Sequence, residues 1–500
     1  MDSNFKELYV EAWEMVSLVQ QHCNSIQRYY WKRLQHINGF KGKSFSIRSL
    51  NLPPGSHGWP IIGETGEFLR ASLDGTPENF VRERMDKYDA RVFKTTLMGE
   101  PMAVLCGPAG SKFLFGNENK LVRVWWPGSV RKLLGPGLAT SAGDEAKQMR
   151  KMISYFVTPE AFTRLYINTM DLVARRHIDA HWQGKEGLRV FPTIKLYTFE
   201  LACRLFLSLK DPRQISDLAT LFNVFLKGII SVPINFPGTR FSKAKRATSA
   251  IKNLLQKIVR QRRVELDEKM ASPPQDLLSH LLASSDENGK FMPENVIINN
   301  ILMLLFAAHD TSSVAITMLI KNLAQLPEVY DKVLREQEEI TSSKEVGDFL
   351  QWEDIQKMKY SWNVVCETMR QWPPVSGAFR EALKDIKYAG YDIPKGWKLY
   401  WSSSSMHRDS NFFNHHMNFD PSRFEGVGPI PFSYVPFGGG PRMCLGKEFA
   451  RVEILIFLHN VVRRFEWNLE IGDEKIEYDP MPTPVEGLPI RLRRRNTSEK

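Results

Sequence analysis

The apolar and polar positions divide the chain into stretches of different period. From about residue 145 to 380, apolar residues recur at three- and four-residue spacing, the mark of helices that bury one face. Ahead of them, "RVFKTTL" and "PMAVLCG" read as short strands of a small sheet. Beyond Pro373, "IKYAGYDIP" and "KLYWSSS" predict further short strands, followed by a glycine-rich stretch and one last run at helical spacing, "CLGKEFARVEILIFLHNVVRRF". These periods predict a mainly α fold with a small β part.

One helical segment stands apart. Pro293 to Leu326 would run roughly 50 Å at 1.5 Å per residue, enough to cross a whole domain. Its centre is apolar on nearly every side, which implies burial, while Asn299, Asn300, His309 and Asp310 interrupt it too often for a membrane span. Within it, "AAHDTSS" sets an acid beside an alcohol in apolar surroundings. A buried Asp310 is costly without a partner, so a function or a hydrogen-bond network must justify it. The plain structural reading is a helix-distorting Thr beside a satisfied Asp.

At the N-terminus, Glu7, Glu11 and Glu14 form a stripe on an otherwise apolar helical circumference, and basic residues follow from Arg28 to Arg48. Such a helix suits a lipid surface, or packing on the domain or on another copy. Its acids exclude a signal peptide, and it lacks the apolar run of about 18 residues that a spanning helix needs. "NLPPGSHGWPIIGE" at 51–64 marks the expected boundary between this 1–50 segment and one domain over 51–500.

A net charge of +11 fits nucleic acid, an anionic membrane or an acidic protein partner. The basic residues are scattered and carry no zinc-finger spacing or RNA- or DNA-binding signature, so no nucleic-acid partner is expected. Cys23, Cys106, Cys203, Cys366 and Cys444 are widely spaced and odd in number, unlike a disulfide framework or a zinc site. Cys106, Cys203 and Cys366 lie in apolar surroundings and are expected in the core.

Cys444 differs. It lies in "FGGGPRMCLG" (437–446), at or just before the N-terminus of the last helix, where exposed N–H groups and the dipole favour a thiolate. Gly438, Gly439 and Gly440 permit positive φ and close backbone approach, and Arg442 is placed to meet an anionic group beside a metal. The plain alternative is an ordinary glycine turn with a packed cysteine.

Phe437, Gly440, Arg442, Cys444 and Gly446 match the pattern F-x-x-G-x-R-x-C-x-G, and in this the chain resembles the cytochrome P-450 superfamily. The resemblance implies a single large P-450 fold, its long central helix over a haem b and its cysteine loop below. Cys444 would be the axial iron ligand, with Arg442 on a haem propionate. Glu367 and Arg370 of "ETMR" and Arg423 of "FDPSRF" resemble the network that locks the family's core beside that loop. By the same resemblance Asp310 and Thr311 would supply protons during dioxygen activation. Arg150 in "KQMRKM" and Arg380 in "GAFREA" resemble propionate contacts, or are surface arginines. Departures from the family pattern are Ala308 where glycine is usual, Ala146 where an aromatic or histidine is usual, "HHMN" at 415–418 where a proline and an acid are frequent, and an amphipathic rather than spanning N-terminal segment.

The segments "LNLPPGSHGWPIIGE", "FGNENKLV", "KMKYSWNVVCETMR", "GYDIPKGWKLYW" and "PFGGGPRMCLGKEFARVEIL" are similar to the plant enzymes that oxidise cyclic triterpenes, of the beta-amyrin 28-oxidase type, with the taxane hydroxylases as near relatives. This implies a monooxygenase using dioxygen and electrons passed from NADPH through NADPH-cytochrome P-450 reductase. Its place would be the cytosolic face of the endoplasmic reticulum membrane, attached peripherally. By analogy an apolar cavity would be lined by Trp125, Trp126, the segment "GIISVPINFPG" at 228–238, Phe306, Ala307, Val375, Gly377 and Val485. Such a lining suits a triterpene, a sterol or a diterpene alike, and each residue equally fits core packing. Arg131, Lys132, Lys151 and Lys447 are candidates for steering an acidic reductase. A reductase-independent isomerase or dehydratase and a non-catalytic haem protein share the same loop; the Asp310–Thr311 pair favours the monooxygenase.

Overall fold

A computed structural model describes residues 50–495, apart from 288, 343 and 346. The N-terminal amphipathic segment therefore lies outside the described residues. About 54% is helical, with the strands confined to small sheets. The central helix runs Glu294–Gln325 from a Pro293 N-cap, close to the predicted limits. Its Ile301, Leu302, Leu305, Ile316, Leu319 and Ile320 enter the main core, which also holds Phe222, Phe225, Phe449 and Phe457 from surrounding helices. By length and composition it would pass for a membrane span, but most of it is buried inside the protein.

Two of the polar interruptions work as clips. Asn300 Oδ1 accepts the Leu138 N–H at 2.8 Å, and Asn299 Nδ2 donates to the Pro136 carbonyl at 2.9 Å. Together they bind the 135–141 loop to the central helix, and each removes a polar group that burial would otherwise leave unpaid.

The larger sheet holds the strands Val92–Leu97, Glu100–Leu105, Lys398–Ser402, Gly377–Ala382 and Val122–Val124 in that spatial order. Neighbours run antiparallel except Glu100–Leu105 with Lys398–Ser402, which are parallel. The middle strand is buried along its whole length. Leu399 and Trp401 pack into one apolar cluster with Leu114 and Phe115, whereas Tyr400 enters another with Phe80, Phe93 and Trp125. That alternation follows from successive side chains pointing to opposite faces.

Below the core, the helix Lys359–Gln371 carries Glu367 and Arg370, both fully buried. Arg370 Nε and Nη2 grip the Glu367 carboxylate at 2.7 and 2.8 Å. The remaining Arg370 donors reach the carbonyls of His407 and His416, and Glu367 Oε1 accepts the Asp420 N–H at 2.9 Å. Arg423 stands 3.4 Å from Glu367 and donates to the His415 carbonyl. The unusual "HHMN" stretch thus still serves the network, through backbone oxygens. Removing one partner leaves a buried charge alone, so Arg370→Ala should lower stability by about 3–5 kcal/mol. A denaturant midpoint equal to that of the wild type would show that the pair does not hold the fold.

Candidate haem site

The shape of the glycine stretch is set by what it lies on. Gly438 and Gly440 have φ of 66° and 64°, a region glycine enters without a Cβ penalty. A Cβ on Gly440 would stand 2.3 Å from the Phe115 carbonyl oxygen, and one on Gly439 2.4 Å from the Phe115 ring. Only bare backbone can approach the end of the helix Gly107–Gly116 so closely. Two hydrogen bonds close the turn, Met443 N–H to the Gly440 carbonyl and Cys444 N–H to the Phe437 carbonyl at 3.0 and 2.8 Å. His407 holds the entry: its Nε2 accepts the Val435 N–H at 2.9 Å, and burial keeps the imidazole neutral, with its pKa pushed down to about 3. The His407 carbonyl also accepts from Arg370, so this residue joins the buried ion pair to the cysteine loop.

Cys444 precedes the helix Lys447–Val462, whose N-cap is Gly446. Cys106, Cys203 and Cys366 are buried, as expected of core packing, whereas Cys444 offers accessible surface. Protein atoms nonetheless crowd its sulfur. Burial pushes the thiol above its ordinary value; a Gly446 N–H hydrogen bond and the charge of Arg150 pull it down. A metal binding here must take the proton's place.

The arginines gather around one acid that sequence reasoning did not single out. Glu118 Oε2 accepts from Arg380 Nε at 2.6 Å, and its Oε1 accepts the Val124 N–H at 3.1 Å while standing 3.8 Å from Arg442 Nε. Arg442 donates to the carbonyls of Leu138 and Ser141, on the loop that the central helix clips in place. Arg150 Nη2 donates to the Met443 carbonyl at 2.6 Å, next to the cysteine. Arg150, Arg380 and Arg442 are therefore one cluster, and the surface alternative falls away for Arg380, which is 6% exposed.

On the central helix, Asp310 meets Lys195 Nζ at 3.1 Å, the partner its burial required. Thr311 Oγ1 donates back to the Ala307 carbonyl at 2.6 Å, and His309 bonds Thr198 at 2.9 Å. Ala307 is exposed and Thr311 half-buried, on the same stretch as the half-buried Leu304, Phe306 and Ala308. Behind them, Ser312 approaches Glu453 of the cysteine helix, a carboxyl that burial pushes up to about 8. Both Glu453 oxygens lack a well-formed hydrogen bond, which fits the protonated form.

The expected cavity residues divide. Phe306 packs edge-on against Phe225, Trp126 Nε1 donates to the Ala139 carbonyl, and Val375 and Val485 are exposed. Gly377 lies so close to the middle strand that a Cβ would stand 2.3 Å from the Trp401 carbonyl. Trp125 is buried, packing edge-on against Phe379 with Lys398 Nζ over its ring, in the apolar cluster on one face of the sheet. In the 228–238 segment, Ile230, Val232, Ile234 and Phe236 are exposed.

Among the described residues, no group of three or more His, Cys, Asp or Glu side chains could hold a bare metal ion. A lone accessible thiol fits a metal that arrives with its other ligands, and clustered guanidinium groups fit an anionic carrier of that metal. Haem meets both conditions, and the combination defines the haem-thiolate class. The cytochrome P-450 family model matches residues 53–489, and the chain belongs to that family. It is similar to beta-amyrin 28-monooxygenase of Kalopanax septemlobus (54% identical, covering 91% of this chain and 94% of the relative) and to those of Panax ginseng (53%; 91% and 95%) and Vitis vinifera (51%; 93% and 95%). Among solved structures, retinoic acid-bound cyanobacterial CYP120A1 superposes with a TM-score of 0.81 at 33% identity, covering 89% of this chain and all of that one. The chain is thus a haem-thiolate monooxygenase that uses dioxygen and draws electrons from a redox partner.

Glu453 yields a pH prediction. The folded chain keeps this proton between the ordinary value of 4.5 and about 8, where the unfolded chain has lost it. Stability from this group is therefore full below pH 4.5 and is lost as pH rises through 8. Glu453→Gln should match the wild type near pH 5 and exceed it by about 3 kcal/mol near pH 8. Equal differences at both values in chemical denaturation would mean that Glu453 is ionised in the folded protein.

Proposed function

We propose that this enzyme oxidises a cyclic triterpene such as beta-amyrin, by one hydroxylation or by successive oxidations. The observation that carries the reading is identity above one half, across nine-tenths or more of both chains, to three plant enzymes named beta-amyrin 28-monooxygenase. The accessible apolar surface at Ala307, Phe306, Val375 and Val485 supports it, since a rigid hydrocarbon skeleton asks for few polar contacts.

When bound, haem supplies the iron at which dioxygen is reduced and cleaved. Cys444 is assigned as the thiolate that holds this iron, with Arg442, Arg380 and Arg150 set to receive the propionates. Phe437, Gly440 and Gly446 shape the loop: the first closes it onto the Cys444 N–H, the second admits Phe115, and the third offers its N–H to the sulfur. Thr311 carries a half-buried hydroxyl that can exchange its bond to the Ala307 carbonyl for one to an incoming water or substrate-bound group. Asp310, released from Lys195, can carry a proton between solvent and that hydroxyl. Substrate filling the apolar space excludes the bulk water that would otherwise drain these protons.

NADPH-cytochrome P-450 reductase is the proposed electron donor, steered by Arg131, Lys132 and Lys447, all exposed; Lys151, also exposed, is paired with Glu287 at 2.6 Å. Attachment to the cytosolic face of the endoplasmic reticulum membrane is supported by exposed apolar side chains such as Trp59 and Phe236. Residues 51–500 are assigned to one catalytic domain.

The test is expression with the reductase and feeding of beta-amyrin. Products one or more oxygens heavier, formed only with NADPH, are expected. Conversion of sterols or diterpenes but not beta-amyrin would overturn the substrate, and product without NADPH would indicate an isomerase or dehydratase. Cys444→Ala should lose the strongly red-shifted Soret band of the reduced carbonyl form. Thr311→Ala should keep that band while product per NADPH falls about tenfold or more; unchanged coupling would remove Thr311 from proton supply.

A further inference from the structure

The guanidinium cluster contains more charge than its own acid can balance. Arg380 and Arg442 face one carboxylate, Glu118, and Arg150 stands close enough for its charge to act on Arg442. The surplus is two positive charges, equal to the two propionates that haem b carries. We propose that Glu118 is a positioning residue for the haem: a fixed counter-charge that holds Arg380 and Arg442 apart in a preformed fork and thereby sets the iron's reduction potential. The inference rests on the haem assignment made above and concerns a residue outside the family signature.

Three observations carry it. Glu118 has no freedom to turn away, because Oε2 is taken by Arg380 and Oε1 by the Val124 N–H. Its side chain is 1% exposed against 7% for Arg380, so water screens this pair little. Finally, its position is tied to that of the metal ligand by a short piece of chain. Phe115, on which Gly439 and Gly440 lie, is three residues before Glu118, so one segment sets both the height of the cysteine loop and the counter-charge.

Arg442 places Nη1 and Nη2 on the carbonyls of Leu138 and Ser141, whereas Arg380 and Arg150 keep nitrogens that no such bond occupies. Arg380 spends Nε on Glu118 and Nη1 on the Phe379 carbonyl, which leaves Nη2. Arg150 spends Nη2 on the Met443 carbonyl, which leaves Nε and Nη1. Those free edges suit carboxylates, whereas Glu118 occupies the inner edge and fixes the angle at which the fork opens.

Reduction of haem iron adds one negative charge, so a nearby fixed anion opposes it. Glu118→Gln keeps the shape and an acceptor for the Val124 N–H while deleting the charge. In purified holoprotein its midpoint potential, read by spectroelectrochemistry, should rise by about 59 mV, a tenfold gain in the ferrous to ferric ratio. Arg380→Gln removes a positive charge from the same cluster and should shift the potential the other way; it also stands as the test if Glu118→Gln fails to accumulate with haem. Glu118→Asp, which retains the charge, should stay nearer the wild type than Gln does. Shifts of the same sign, or no shift in either variant while the thiolate carbonyl band is intact, would overturn the proposal and leave Glu118 a structural brace. Absence of that band from the wild type would sink the Cys444 assignment instead, so the two failures are distinguishable.

Discussion

The Glu367–Arg370 ion pair is the constraint on which the lower half of the molecule depends. Taking both groups out of water costs several kcal/mol per ion, and the pair persists because backbone groups take up most of their remaining hydrogen-bonding capacity. Those partners come from two separate stretches, around His407 and over residues 415–420. A pair three residues apart on one helix thereby becomes the point where distant chain segments must meet. His407 passes the constraint on, with its carbonyl on Arg370 and its ring on the backbone that leads into the cysteine loop. The loop does not need to be stable alone.

From the other side, the loop is limited by contact rather than charge. Phe115 stands where side chains on Gly439 and Gly440 would go, so the glycines are required by close approach as much as by φ. The 135–141 loop adds a third support, bonded at once to the central helix through Asn299 and Asn300 and to Arg442 through two carbonyls. Central helix and cysteine loop are thus fixed to a common piece of backbone. The distance between them can then be held without direct contact, which a site that must admit a cofactor and a substrate requires.

What was legible in the sequence follows a physical rule. The long central helix, the short strands, the cysteine loop and the Glu367–Arg370 pair all depend on neighbours a few residues away, and spacing reports those. Glu118, Lys195, His407 and Glu453 were missed because each takes its meaning from a partner far along the chain: Arg380 lies 262 residues from Glu118, and Val435 lies 28 from His407. "FGNENKLV" was noticed as a family-like segment, yet nothing local tells which of its polar residues will be enclosed. The packing of Trp125 was hidden for the related reason that an aromatic beside a strand can face either side of the sheet, and only the packed cluster with Phe379 and Lys398 decides which.

Four buried carboxyls show how one residue chemistry is divided by surroundings. Glu367 is saturated by Arg370 and backbone donors and can do nothing but hold structure. Glu118 is equally enclosed, but its partner Arg380 retains a free Nη2 edge, so its charge is felt beyond the pair. Asp310 has a single lysine on a partly exposed stem, a contact weak enough to open and close during turnover. Glu453 has no cationic partner among the described residues, and burial favours its protonated form. The number and rigidity of cationic partners, rather than depth of burial, therefore separates a brace from a fixed field, and both from groups that can move a proton. That criterion supports the proton role proposed for Asp310, whose side chain has one cationic partner among the described residues, the partly exposed Lys195.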